Sequence, residues 1–336
     1  MDKNGEAIIE HQFDEAQDFK EGLAAVRIKD KWGYVNTQGQ IIIPLQFKSA
    51  WSFVEGKARV LTFEHTLGLI DPQGSWIIEP RTSTFKNFSK EVAVFRDSSK
   101  YGLMDVAENI VSPAIYLSIS DFKNDLAKVK TEQGYGLIDR QGKVILPAIY
   151  ERLGVYKEEL LRAKKEGLYG YLNKQQKWSL TPQFKGCSDF HKGIAAAKTN
   201  TQYGLIDTQG KWTAAPDWDH IICINEGLWA ANKNGKFAII NAEGTALTPY
   251  KYTQINQFHD GFAVYGIGYY YGFLNTAGEE ITRPKFGLAW DPKGGIARAI
   301  FSNGIGFVNA KGETVVSPIY GDVRDYSEGL ARIQRY

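Results

Sequence analysis

Residues 30–39 read DKWGYVNTQG. An aromatic residue precedes a glycine, two apolar residues follow, and an Asn leads to a second glycine three positions on. Alone this is the tail of an ordinary β-hairpin. The pattern returns along the whole chain, and its return decides the fold. Aligned on the glycine of the pair, it falls at Gly33, Gly68, Gly102, Gly136, Gly170, Gly204, Ala238, Gly272 and Gly306, spaced by 35 once and by 34 seven times. Before it stand Trp32, Leu67, Tyr101, Tyr135, Tyr169, Tyr203, Phe237, Tyr271 and Ile305. Three residues after it the chain has Asp or Asn every time, from Asn36 to Asn309. Six after it stands Gly, except at Glu108 and Gln176. Eleven or twelve after it there is always a proline, from Pro44 to Pro318.

A second ladder runs alongside at Gly22, Gly56, Glu91, Asp125, Glu159, Gly193, Gly227, Gly261, Gly295 and Gly329. Its one extra residue lies in KARVLTFEHTLG, between Gly56 and Gly68, which predicts a loop or bulge there. Within one repeat, LAAVRIK and KWGYVN are short β-rich runs joined by a turn near Asp30. NTQG predicts a type I turn with a G1 bulge: the Asn side chain accepts from backbone amides, and Gly takes the left-handed conformation. QIIIP predicts a returning strand stopped by its proline, and QFKSAWSFVEG an irregular or one-turn helical link. Each repeat is thus three short strands and a connector, too small to bury its own apolar face without neighbours. The glycine inside KWGYVN predicts a close approach, by something stacked from the next repeat.

Composition agrees. Aromatic residues are abundant, with 18 Tyr, 18 Phe and 8 Trp, and Gly is high at 34, which favours strands and turns over helices. Lys and Arg outnumber Asp and Glu only 40 to 38, so there is no whole-chain basic field and no nucleic-acid partner is expected. Two cysteines, Cys187 and Cys223, make no disulfide framework and no CxxC. No apolar run is long enough for membrane insertion as a helix. MDKNGEAIIEHQF holds no signal-peptide core, so the expected compartment is the cytoplasm unless the chain is trimmed from an exported one.

KWGYVNTQGQIIIPLQF with FVEGKARV, YGLIDRQGKVILPAIY and YGFLNTAGEEITRPKF carry a motif that resembles the WG-repeat family of bacterial proteins, from Gly5 to Tyr336. Leu67, Ala238 and Ile305 depart from it in the pair, Glu108 and Gln176 in the turn. The resemblance implies an all-β repeat module, generally without a defined activity.

No catalytic constellation stands out. His11, His65, His191, His220 and His259 lack ligand-spaced partners, so no metal or cofactor is expected. Asp71, Asp105, Asp139 and Asp207 alternate with Asn at the same register, as turn capping tolerates and calcium does not favour. DPKGGIARA and YGIGYYYG are a modified connector and a hairpin turn with extra aromatics. Recurring positions build the core; varying ones are free to carry function. Trp76, Trp178 and Trp212 share one varying register, Trp51 and Trp290 another. They are either cover for repeat junctions or contacts to a ligand or partner.

The expected architecture is therefore all-β. Residues 1–336 form a single array, with a partial first unit at 1–28 and nine units over 29–336. Tandem β-hairpin repeats make an open twisted solenoid, with a closed β-propeller-like ring as the alternative. The expected function is a non-enzymatic binding or scaffold protein for a protein or glycan partner. A propeller-like hydrolase and a purely structural spacer are the alternatives.

Overall fold

In the computed structural model, residues 1–3, 5–81, 84–225 and 227–334 are described; the ends of the family resemblance at Arg335 and Tyr336 lie outside them. The first complete sheet shows how one repeat is built. Strand β1 (Glu15–Ala16) pairs with β2 (Leu23–Ile28), β2 with β3 (Lys31–Asn36), and β3 with β4 (Ile41–Phe47), all antiparallel. The same four-strand order recurs in tandem, and none of the sheets closes into a barrel. No helix occurs among the described residues. By the density of contacts the chain divides into two compact bodies, Met1–Ile149 with Val323–Ile333, and Tyr150–Asp322.

Three details differ from the sequence expectation. First, the connector is not helical. It contains a short strand such as Ser49–Ala50, which is the first strand of the next four-stranded sheet. This strand leads to a two-residue turn with both φ angles positive, such as Glu21 at +55° and Gly22 at +77°. The second glycine ladder is therefore a row of tight primed turns.

Second, the proline does not stop the returning strand but sits in its middle. Trp32 pairs with Phe47 and Tyr34 with Ile43, so two steps on β3 face four on β4. The strand arches out between these pairs, at the edge of the sheet, where the missing proline N–H breaks no ladder bond.

Third, the close approach to Gly33 comes from its own repeat. A Cβ on Gly33 would lie 2.5 Å from the Ile43 carbonyl oxygen and 2.7 Å from that of Pro44. At Gly136 the nearest atoms are again backbone, the Leu146 oxygen at 2.5 Å and the Ala148 nitrogen at 2.7 Å. Glycine and proline thus act together: one makes room for the arch that the other occupies.

The exception proves informative. Ala238 is fully buried, and its sheet has only three strands. With a methyl group at 238 the segment keeps the outer pairs that frame the arch elsewhere but forms no continuous strand. The returning segment pairs only through bridges from Ile240 to Ala246 and from Phe237 to Tyr252. The Thr248 hydroxyl accepts the Ile239 N–H at 2.9 Å, as Thr282 accepts the Phe273 N–H in a copy that keeps its glycine.

The Asn/Asp turn is as expected. Asn36 Oδ1 accepts from the amides of Gln38 (3.1 Å) and Gln40 (3.0 Å), and Gly39 has φ +80°. Glu108 and Gln176 hold the same left-handed conformation at +67° and +64° despite their side chains. Replacing Gln176 by Gly is expected to raise stability by about 0.5–1 kcal/mol, because the strain exceeds the extra entropy of glycine. Urea unfolding measures it, and a lower midpoint would contradict it. The extra residue of the second repeat lies in a longer hairpin loop, where His65 takes φ +63° and its amide donates to the Thr62 carbonyl.

Neighbouring repeats are tied by carboxylates as well as by apolar contact. The Glu21 carboxylate accepts from the amides of Glu55 (2.6 Å) and Gly56 (2.8 Å), which both point out of the next primed turn. Glu328 accepts from Glu21 (2.6 Å) and Gly22 (2.8 Å) in the same way. So in the first body the C-terminal segment stands to the first repeat as the first stands to the second. Val323 and Ala331 of that segment are buried, and Leu330 packs against Phe19, Ala24, Val26 and Val35. In the second body Glu158 accepts from Lys192 and Gly193, and Asp260 from Gly295.

Candidate interaction surface

Trp76, Trp178 and Trp212 each open a fourth strand. Each ring stands edge-on to the aromatic residue that closes the preceding fourth strand: Phe47 at 6.0 Å, Tyr150 at 6.1 Å and Phe184 at 6.3 Å. Trp76 and Trp212 also lie over Gly68 and Gly204, with ring carbons 2.5 and 2.8 Å from where a Cβ would be. These three therefore cover repeat junctions and keep only part of the ring in solvent; Trp76 is 38% exposed.

Trp51 and Trp290 sit just after a short first strand, and their amides donate to the carbonyls of Arg59 (3.1 Å) and Arg298 (3.0 Å) across the hairpin. This register places a guanidinium over each ring, 4.8 Å from the Trp51 centroid and 4.4 Å from that of Trp290. Among the described residues no ring contact joins two of the five tryptophans, and Trp51 and Trp290 lie in different bodies.

The same register reveals residues that the sequence pattern does not single out. In the first body a long polar side chain from one repeat repeatedly reaches the carbonyl that ends the next short strand. Arg332 Nη1 donates to Ala16, Gln17 Nε2 to Ala50 (3.0 Å), Arg59 Nη1 to Phe85 (2.9 Å) and Lys86 Nζ to Ile119 (3.2 Å). These positions vary in type from copy to copy, so no recurrent letter marks them. The signal would have been Trp51's own register, which holds Gln17 and Lys86, and the position facing it across the hairpin, which holds Arg59 and Arg332.

In the second body Arg162 holds the equivalent place. Its Nη1 donates to the Cys187 carbonyl and its Nε lies 3.2 Å from Asp189 Oδ1, a charge pair without hydrogen-bond alignment. Arg59 instead donates Nε–H to the Asn87 side-chain oxygen at 2.6 Å. The charge of one arginine is offset by an acid; that of the other faces only an amide.

The Cys187 thiol is no nucleophile at neutral pH, since burial pushes it up to about 11. Cys223, half-buried, forms no disulfide, and its thiol donates to the Asn225 carbonyl at 3.2 Å. Asp71 and Asp139 cap turns, each accepting from amides two and four residues on at 2.8–2.9 Å. Among the described residues no group of three His, Cys, Asp or Glu is placed to hold a metal ion. At the tip of the hairpin after Phe262–Ile267, Tyr269 is 93% exposed beside the exposed Tyr270, where no other copy has Phe, Tyr or Trp at either position.

The sequence profile described as WG containing repeat matches residues 1–32, 32–62, 68–101, 101–133, 135–169, 169–200, 203–237, 271–303 and 305–335. The chain belongs to the WG containing repeat family. The stretch between 237 and 271, left unmatched, holds Ala238 and the returning segment that forms no fourth strand. The WG repeat is thus weakest where its glycine is replaced.

Among curated proteins none matches. Solved structures similar to this WG-repeat chain include the computationally designed Ika8 protein, at 10% identity over 81% of this chain and 98% of that one, with a TM-score of 0.35. Others are a eukaryotic initiation factor (9% identity, 79% and 86% covered, TM-score 0.46) and Hsv2p from Kluyveromyces lactis (10%, 75% and 96%, 0.41).

Proposed function

We propose that the chain is a non-enzymatic binding or scaffold protein that presents its varying positions to a protein or glycan partner. One observation carries this reading. The recurring residues are consumed by the fold: Gly33 and its equivalents lie under the arch, and Asn36 and its equivalents cap turns. The varying residues, such as Trp51 with Arg59 and Tyr269 with Tyr270, hold aromatic and cationic groups that the array does not need in every copy. Aromatic and arginine side chains of this kind dominate binding surfaces.

The test is a protein carrying both Trp51→Ala and Trp290→Ala, compared with the parent on peptide and glycan arrays. Its urea midpoint is followed to verify folding. Loss of the captured ligands with a retained midpoint is expected. Unchanged capture would remove these tryptophans from the site, and an array blank for the parent would favour a structural spacer.

A further inference from the structure

Building on that binding role, we propose that Arg59 and Lys86, beside Trp51 in the first body, bind carboxylate side chains of an acidic peptide segment. Arg59 is fixed on three sides. Its Nε–H goes to Asn87 Oδ1, its Nη1 to the Phe85 carbonyl, and one guanidinium face lies on Trp51. All three partners are uncharged. Among the described residues its Nη2 makes no hydrogen bond, so that end of the guanidinium remains for an acceptor. A charged N–H donor bonds a carboxylate more strongly than it bonds a neutral acceptor. Lys86 stands next in the row, exposed, with the Ile119 carbonyl as its acceptor. An ammonium has three donors, so it too can add a carboxylate.

The second body supplies the internal comparison. Arg162 has the same place and makes the same carbonyl contact, but its neighbour in the next repeat is Asp189 rather than Asn87. There the chain provides its own carboxylate. In the first body the equivalent acid is replaced by an amide that holds the arginine without cancelling it.

The chemistry also selects among anions. Arg59 covers a face of Trp51, which is therefore not free to stack on a sugar ring. Asp18 and Asp121 follow the short strands in neighbouring repeats, at the register of Asn87, so positive charge along the row is interrupted. A polyphosphate chain with unbroken charge fits such a row poorly. A peptide with spaced Asp or Glu residues fits it.

The test is fluorescence anisotropy of the folded full-length chain with a short labelled peptide in which Glu alternates with Ser and Gly. The same peptide with Gln for Glu, and a uronic-acid oligosaccharide, are run beside it. Saturable binding of the Glu peptide is expected, weakened by salt and absent for the Gln peptide. Asn87→Asp should reproduce the self-neutralised pair of the second body and weaken binding about tenfold, as should Lys86→Gln. Arg162→Gln should leave it unchanged. No saturable binding of the Glu peptide, equal binding of the Gln peptide, preference for the uronate, or an unaltered affinity in Asn87→Asp overturns the proposal. Sensitivity of array capture to the tryptophan changes, together with an indifferent Asn87→Asp, would keep the general binding role and discard this site.

Discussion

Gly136→Ala is expected to destabilise the protein by about 2–3 kcal/mol, far more than an exposed Gly→Ala change in a strand, which usually stabilises. The added methyl would lie 2.5 Å from the Leu146 carbonyl oxygen and 2.8 Å from the Ala148 Cα. Both are backbone atoms, so no side chain can swing aside. The arch must lift, and its ladder bonds to the third strand go with it. Nature has made the equivalent change once, at Ala238, and there the fourth strand is absent. Urea unfolding followed by tryptophan fluorescence measures the cost. A midpoint equal to that of the parent would mean that the arch moves freely and that the glycine is conserved along the chain for another reason.

Val323→Asp should cost more than about 3 kcal/mol, because it places a carboxylate at a position with no solvent contact and no basic partner supplied by the change. Val323 is fully buried, and its segment covers the first repeat through Leu330, Glu328 and Ser327. Ser327 Oγ donates to the Phe19 carbonyl at 2.7 Å, so apolar and polar contacts are lost together. The effect should be local at first. Amide exchange in Leu23–Ile28 and Lys31–Asn36 should accelerate well before exchange in the second body does. Uniform protection in the variant would show that the C-terminal segment adds nothing to the first repeat.

Much of this fold was legible in the sequence. A strict period with Asn or Asp at one place and Gly three residues on can only be a repeated turn, and Asn36 with Gly39 makes it. What escaped had physical reasons. A strand of two residues, such as Ser49–Ala50, is too short to show alternation. Pro44 reads as a strand breaker because an arch that tolerates it depends on Gly33, eleven residues earlier. The glycine signalled a close approach correctly, but a one-dimensional pattern does not say which strand approaches.

The candidate site was legible only in part. Trp51 and Trp290 were found as aromatics at varying positions, while the arginines above them were not, since Arg59 faces Trp51 only through hairpin pairing. Trp76, Trp178 and Trp212 shared a register that marks the repeat junction, where each meets the aromatic of its neighbour.

The account rests on a division of labour, in which recurring residues hold the array and varying ones meet the partner. Paired measurements of peptide affinity and urea midpoint on Gly136→Ala and Asn87→Asp test it most directly. The account predicts a lowered midpoint with parental affinity, below the unfolding transition, for Gly136→Ala. For Asn87→Asp it predicts a parental midpoint with affinity weakened about tenfold. Affinity and midpoint falling together in both variants would contradict it.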